Sequence, residues 1–220
     1  MISEIFHSIQ GEGRFAGLPA VFVLTDAGAP RPSWCGPVQG SFKPNHETSF
    51  AGLLAAARKF WCDYAVIVGT EPLADDNIVA IADGLKRFGH TVVIEGSGSH
   101  FANVPCDLLS LTLRMQNPVD PPRKKSKFPA YDIEILRKLI AHYDYQLQFL
   151  VADRADIVEV KSVAQEIGAD KNKVLLMPAA AKGRELNDQC HWALEAARFF
   201  GYRYAPHLAT PTAPKTNEDR

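Results

Sequence analysis

Cysteine is scarce in this 220-residue chain and never paired. Cys35, Cys62, Cys106 and Cys190 stand far apart, with no C-x-x-C and no histidine at zinc-ligand spacing from them. A zinc ribbon and a redox dithiol are thereby excluded, and four reduced thiols, mostly in the core, are expected. Charge of one sign is also missing. Lys and Arg total 24 against 25 Asp and Glu, a net charge of −1, which gives no general pull toward nucleic acid or anionic lipid. No apolar run reaches membrane-spanning length, and the start, MISEIFHSIQ, lacks a basic region followed by an apolar stretch. A cytoplasmic protein with no direct nucleic-acid or membrane contact is expected. Its 46% hydrophobic and 22% charged residues suit one sizeable core.

What is present is alternation. AVFVLT (20–25), YAVIVG (64–69), TVVIEG (91–96), LLSLTL (108–113), LQFLVA (147–152) and KVLLMP (173–178) read as short buried strands, and YRYAP as a final one. Between them fall helical stripes. One is capped by Ser49 and runs to Phe60; another opens at Asp75 or Asp76 and ends at Gly89. The others are marked by Ile133, Leu136, Leu139 and Ile140, by Ile157, Val160, Val163 and Ile167 with a stop at Gly168, and by Leu186 to Ala197. Strand–helix alternation implies parallel strands with crossover connections. The units are too few for a closed eight-fold barrel, so the expected α/β fold is a partial, open TIM-like barrel of about six parallel strands with outer helices. A single domain over 1–208 and a disordered tail over 209–220 are expected. The loop carrying Arg123, Lys124, Lys125 and Lys127 reads as a solvated charge cluster, with a phosphate or carboxylate contact as the alternative.

In such a barrel ligands sit at the carboxyl ends of the strands. The unusual residues there are the Cys35 loop, GTEPLADDN (69–77), EGSGS (95–99), and Thr112 with Arg114; SIQGEGRFAG (8–17) precedes them all. Singly, each reads as a turn or a flexible loop. Taken in order, EIFHSIQGEGRFAGLPAVFVL, SWC, GTEPL, IEGSGS, LTLRMQNP and LLMP resemble the 7-carboxy-7-deazaguanine synthase family, radical S-adenosylmethionine enzymes of the queuosine and deazapurine pathways. The resemblance runs from Glu4 to about Leu208.

That resemblance implies a radical-S-adenosylmethionine-type barrel, a lyase acting on 6-carboxy-5,6,7,8-tetrahydropterin, a [4Fe–4S] cluster, magnesium and a homodimer. The cluster needs thiolates in C-x-x-x-C-x-x-C spacing. Aligned without gaps, those positions fall on Gly28, Pro32 and Cys35. Cys35 is the one cluster-ligand position kept, and it is not expected to hold metal alone. Cys62, Cys106 and Cys190 map to a helix end, a strand start and a helix interior, away from the expected rim. The family's Asp-Thr after the third cysteine, whose threonine serves magnesium, is Gly36-Pro37, and its pterin-carboxylate arginine is Leu24. GGEP has become GTEP, and the terminal Arg-Leu-His pattern is His207-Leu208-Ala209. Cluster and magnesium are therefore expected to be lost, and no catalytic residue is assigned.

Other positions match the family. Gly69, Thr70 and Glu71 correspond to the element that takes the S-adenosylmethionine amino group; Ser97, Gly98 and Thr112 fall near its ribose and adenine. Ile9, Gln10, Gly11 and Glu12 correspond to the loop that reads the pterin edge. Retention of Gln10, Glu12 and Glu71 implies either a polar ligand or a fixed hydrogen-bond network, the network being preferred. The expected role is binding of a small purine-, pterin- or nucleoside-like molecule, S-adenosylmethionine included, or partnership with a true synthase. A working synthase with an unusual cluster is the alternative. A non-radical enzyme using Glu12, Glu71 or Glu95 as acid or base is a third reading.

Overall fold

The computed structural model describes residues 2–25, 39–42, 50–114, 131–179 and 183–205, with backbone alone at 39–42, 50, 53 and 183–186. Its single sheet has the order β3-β1-β2-β4-β5-β6-β7-β8-β9. The strands are β1 (Glu4–Ile9), β2 (Pro19–Leu24), β3 (Gln39–Phe42), β4 (Tyr64–Val68), β5 (Thr91–Gly96), β6 (Leu108–Arg114), β7 (Tyr145–Val151), β8 (Val174–Pro178) and β9 (Arg203–Tyr204). From β2 through β9 every neighbouring pair is parallel. Six of these strands are long and β9 is a two-residue edge, in line with the barrel expected from the alternation. Among the described residues the sheet does not close on itself.

The other edge departs from expectation. β1 pairs antiparallel with β2 and β3 antiparallel with β1. EIFHSI has no crossover helix behind it and mixes polar with apolar residues, so the strand–helix rhythm passes over it.

Helices α1 (Phe50–Arg58), α2 (Ile78–Arg87), α3 (Ile133–His142), α4 (Asp156–Ile167) and α5 (Gly183–Phe200) connect the strands. α2 starts later than Asp75 or Asp76. A single 3-10 turn at Pro72–Ala74 uses the preceding residues, and Asp75 Oδ1 instead accepts the Asn77 N–H at 2.8 Å. Its end follows the sequence: Gly89 has φ +88° and Gly168, after α4, φ +73°, a backbone only glycine adopts cheaply. Asp132 caps α3 by accepting the Ile135 N–H at 2.9 Å. No helix joins β5 to β6, where SGSHFANVPCD supplies glycine and proline but no apolar stripe.

Strands buried on both faces need apolar residues at every position. The helix-covered outer face takes Ile67, Ile94, Leu109, Leu147, Phe149 and Leu176 against Ile81, Leu85, Leu136, Leu139 and Val160, each worth about 1.5–3 kcal/mol when fully buried. The inner face holds a smaller cluster, Phe6, Phe22, Val66, Val68, Val93 and Leu108, in which the Phe6 and Phe22 rings stack at 5.1 Å. That cluster fills the interior from β1 to the start of β6; the remaining inner positions of β5, β6 and the first half of β7 are polar, and those of β8, Leu175 and Met177, are apolar again.

Candidate functional site

Alternation along the strands generates the polar part. Val93 lies on the inner face, so Glu95 does too; Leu108 is inner, and with it Ser110 and Thr112. Glu95 pairs with Ser110 across β5 and β6, while Ser110 and Thr112 pair with Gln146 and Gln148 across β6 and β7. Five polar side chains thus share one face. Gln146 and Gln148 are 2% and 0% exposed, and a buried amide is stable only where it is hydrogen-bonded. Gln146 Nε2 donates to Ser110 Oγ at 2.8 Å, and the Gln148 amide lies 3.0 Å from Ser110 Oγ and 3.4 Å from Thr112 Oγ1.

The segment Gln10 to Leu18 forms the floor. β1 runs opposite to β2, so its last residue, Ile9, sits beside Pro19 at the amino end of the parallel strands. The loop is pinned by Gln10 N–H to Leu18 O at 2.8 Å and Gly17 N–H to Gln10 O at 2.7 Å. It reaches several strands at once. Phe15 packs on Tyr64 at the start of β4, the Arg14 N–H donates to Gln146 Oε1 at 2.9 Å, and the Arg14 guanidinium pairs with Asp144 at 2.6 Å. The SIQGEG segment therefore lies beneath the barrel, not at the carboxyl rim, and sends Gln10 and Glu12 inward. Gln10 Nε2 donates to Glu95 Oε1 at 2.8 Å while its Oε1 accepts the Gly11 N–H at 3.0 Å. Burial and then the neighbouring Glu12 carboxylate push Glu95 up to about 8, against the opposing Gln10 hydrogen bond. The neutral, protonated form of Glu95 is thus favoured over the carboxylate.

Glu71 marks the rim. It is 5% exposed, just beyond the carboxyl end of β4. Its Oε2 accepts the Ser97 N–H at 3.1 Å and faces the Ser97 and Ser99 hydroxyls at 2.5 Å and 3.0 Å. Its Oε1 has no partner among the described residues. A buried carboxylate with one saturated and one bare oxygen would be stabilised by a further donor, above all a cationic one.

The structure brings Glu71 and Ser97 together at the rim, with Thr112 on the adjoining inner wall and Gln10, Gly11 and Glu12 below. Gly69 and Thr70 lead into Glu71 from the end of β4. Two positions that match the family are also constrained by the packing of the barrel. Gly98 has φ +79°, and a Cβ there would lie 2.5 Å from Leu136 Cδ2, so helix packing dictates glycine. Ile9 follows His7 on the outer face, where His7 stacks on Phe60; its side chain turns away from the cleft. Sequence reasoning passed over Ser110, Gln146 and Gln148. Their signal was available: in LLSLTL and YQLQFL the polar residues occupy every second position, the mark of one wetter face.

Cys35, Gly28, Pro32, Gly36 and Pro37, the basic loop and the tail lie outside the described residues. Cys62 precedes β4 and Cys106 precedes β6, at the amino ends, with the length of β4, about 16 Å, between Cys62 and the Glu71 rim. Cys190 lies within α5. Burial pushes the Cys62 thiol up and that of Cys106 up to about 12, the reverse of what a metal-binding thiolate needs. Among the described residues no group of three His, Cys, Asp or Glu side chains is arranged to hold a metal ion, and no helix is long and apolar enough to cross a membrane.

Comparisons with known proteins agree with this geometry. No family model matches the chain. The 7-carboxy-7-deazaguanine synthase of Halobacterium salinarum is 31% identical over 94% of this chain and 88% of its own length. That of Rhodopirellula baltica is 31% identical over 94% and 84%. The crystal structure of QueE from Escherichia coli superposes with a TM-score of 0.64 at 18% identity, covering 94% of this chain and 92% of that one; at that identity it speaks for the fold alone, an open partial barrel. With near-complete coverage by the first two relatives, the chain belongs to the 7-carboxy-7-deazaguanine synthase family.

Proposed function

We propose that this family member binds a small, amine-bearing purine-, pterin- or nucleoside-like molecule in its cleft and has lost the four-iron cluster and the radical chemistry. The observation carrying the binding half is Glu71: among the described residues three donors surround one carboxylate oxygen and none meets the other. A structural network would be expected to satisfy both oxygens. Polar groups on three sides of the cleft suit a molecule with several hydrogen-bonding edges, and S-adenosylmethionine meets that description through its amino group and its nucleoside.

The loss of chemistry rests on thiolate supply. A cubane that leaves one iron open for S-adenosylmethionine needs three thiolates at one rim. The family's three positions read Gly28, Pro32 and Cys35, and the described cysteines sit at the amino ends of strands or on α5. The residues present do not fit the cluster. Within the cleft the side chains do three things: Glu71 holds an amine, Gln10 and Glu12 hold the floor, and protonated Glu95 offers a neutral hydrogen bond. The proposed setting is the cytoplasm, and the proposed assembly is the family's homodimer.

Two measurements test this reading. Anaerobic reconstitution with iron and sulfide is expected to leave less than one iron per chain and no broad brown absorption. Thermal melts with S-adenosylmethionine, S-adenosylhomocysteine and a pterin are expected to show stabilisation by at least one of them. Near-stoichiometric four-iron loading, or 5′-deoxyadenosine formed during turnover of 6-carboxy-5,6,7,8-tetrahydropterin, would establish an active synthase instead.

A further inference from the structure

The two glutamines of β7 are joined to the floor by one hydrogen-bond chain, and its direction can be derived. Gln146 Oε1 accepts the Arg14 backbone N–H at 2.9 Å, and a backbone amide can only donate. The other end of Gln146 is therefore its NH₂, which donates to Ser110 Oγ at 2.8 Å. Ser110 has one hydroxyl proton, and its oxygen now accepts. Gln148 meets the same oxygen at 3.0 Å. If Gln148 also donated there, the Ser110 proton would have no acceptor among the described residues, at zero exposure, and Gln148 Oε1 would be orphaned as well. The two ends of a glutamine amide are assigned by their hydrogen bonds. With the amide turned over, Ser110 and Thr112 both donate to Gln148 oxygen, and only one group is left over: the Gln148 NH₂, fully buried on the inner face.

We infer that Gln148 is a ligand contact, its NH₂ presented to the cleft by the chain Arg14–Gln146–Ser110 to receive an acceptor atom: a ring nitrogen, a carbonyl or a carboxylate oxygen. A buried amide N–H₂ left unpaired is destabilising, and a ligand acceptor would recover that loss. The Glu71 rim calls for a donor and the β7 wall for an acceptor, so the occupant has opposite hydrogen-bonding character on its two sides. This inference rests on the ligand-binding reading above and adds to it the residue that selects the second side.

The test compares the full-length chain with Gln148→Glu and Gln148→Met in thermal melts and titration calorimetry, using S-adenosylmethionine, S-adenosylhomocysteine and a pterin as probes. Gln148→Glu keeps the acceptor for Ser110 and Thr112 but replaces the NH₂ with a second acceptor. Both variants are expected to fold and to bind the probe that stabilises the wild type at least tenfold more weakly. A wild-type shift that Gln148→Glu retains means that oxygen faces the ligand, or nothing does, and overturns the inference alone. A wild-type chain that no probe shifts overturns the ligand-binding reading and this inference with it. Variants that both melt many degrees below the wild type without ligand assign the amide to the fold, which also overturns it.

Discussion

Gly13 and Gln146 share space that leaves no room for a side chain on the former. A Cβ built on Gly13 lies 2.0 Å from Gln146 Nε2, and Gly13 has φ +69°. Gln146 cannot swing aside cheaply, because both ends of its amide are bonded. Gly13→Ala is therefore expected to cost about 3 kcal/mol or more, combining left-handed strain with a broken buried hydrogen bond. Gly17→Ala, at φ +94° with nothing within 4 Å of its Cβ, is expected to cost about 1–2 kcal/mol. Urea denaturation of the two variants side by side separates overlap from strain; equal losses would contradict the contact.

Glu95 makes stability depend on pH in a defined direction. Its folded value, about 8, lies above the ordinary 4.5, so the folded chain holds a proton that the unfolded chain gives up. The stabilisation is complete below about 4.5 and is lost as pH rises through about 8. The wild type is expected to lose a few kcal/mol across that window, an order-of-magnitude figure, and Glu95→Gln to remove most of the decline. Denaturation curves at intervals from pH 4.5 to 8.5 would check this, and parallel profiles for the two proteins would refute it.

Asp144 holds Lys173 at 2.8 Å and Arg14 at 2.6 Å. The Lys173 hydrogen bond first, and Arg14 after it, hold its carboxyl below the usual 3.8; its contribution is present above 3.8 and disappears as pH falls through the lower folded value. The group is half exposed, so Asp144→Asn is expected to cost no more than about 1 kcal/mol, less in high salt. Its clearer effect should be faster amide exchange over residues 10–18, read by hydrogen–deuterium exchange.

Restoring the thiols tests the lost-cluster reading from the other side. The double variant Gly28→Cys/Pro32→Cys recreates C-x-x-x-C-x-x-C with Cys35. Reconstituted anaerobically, it is expected to take up several irons per chain where the wild type takes less than one. Equal loading in both would contradict the reading.

The parallel strands were legible because both of their faces are buried, which writes continuous apolar runs such as AVIV and VLLM into the chain. Helix ends at Gly89 and Gly168 were legible because left-handed backbone selects glycine. The floor was not. Gln10 meets Glu95 and Arg14 meets Gln146 across 85 and 132 residues, and such pairs leave no local pattern. β1 was missed for a related reason: its antiparallel pairing follows from the loop after it, not from a crossover. Family likeness pointed to Glu71 and Gln10, which are buried and hydrogen-bonded, and to Gly98, whose left-handed backbone also packs against Leu136.

The long reach from the first loop to the seventh strand has a consequence for synthesis. The nascent chain emerges with residues 10–18 already made, yet their anchors at Asp144 and Gln146 follow some 130 residues later. At about 5–20 residues per second, the amino half waits several seconds or more before its base can seal. Until then Phe6, Phe22 and Val66 border an unfinished interior. Slower translation across 115–145 should raise chaperone occupancy or aggregation of the partial polypeptide, a vulnerability that the finished fold conceals.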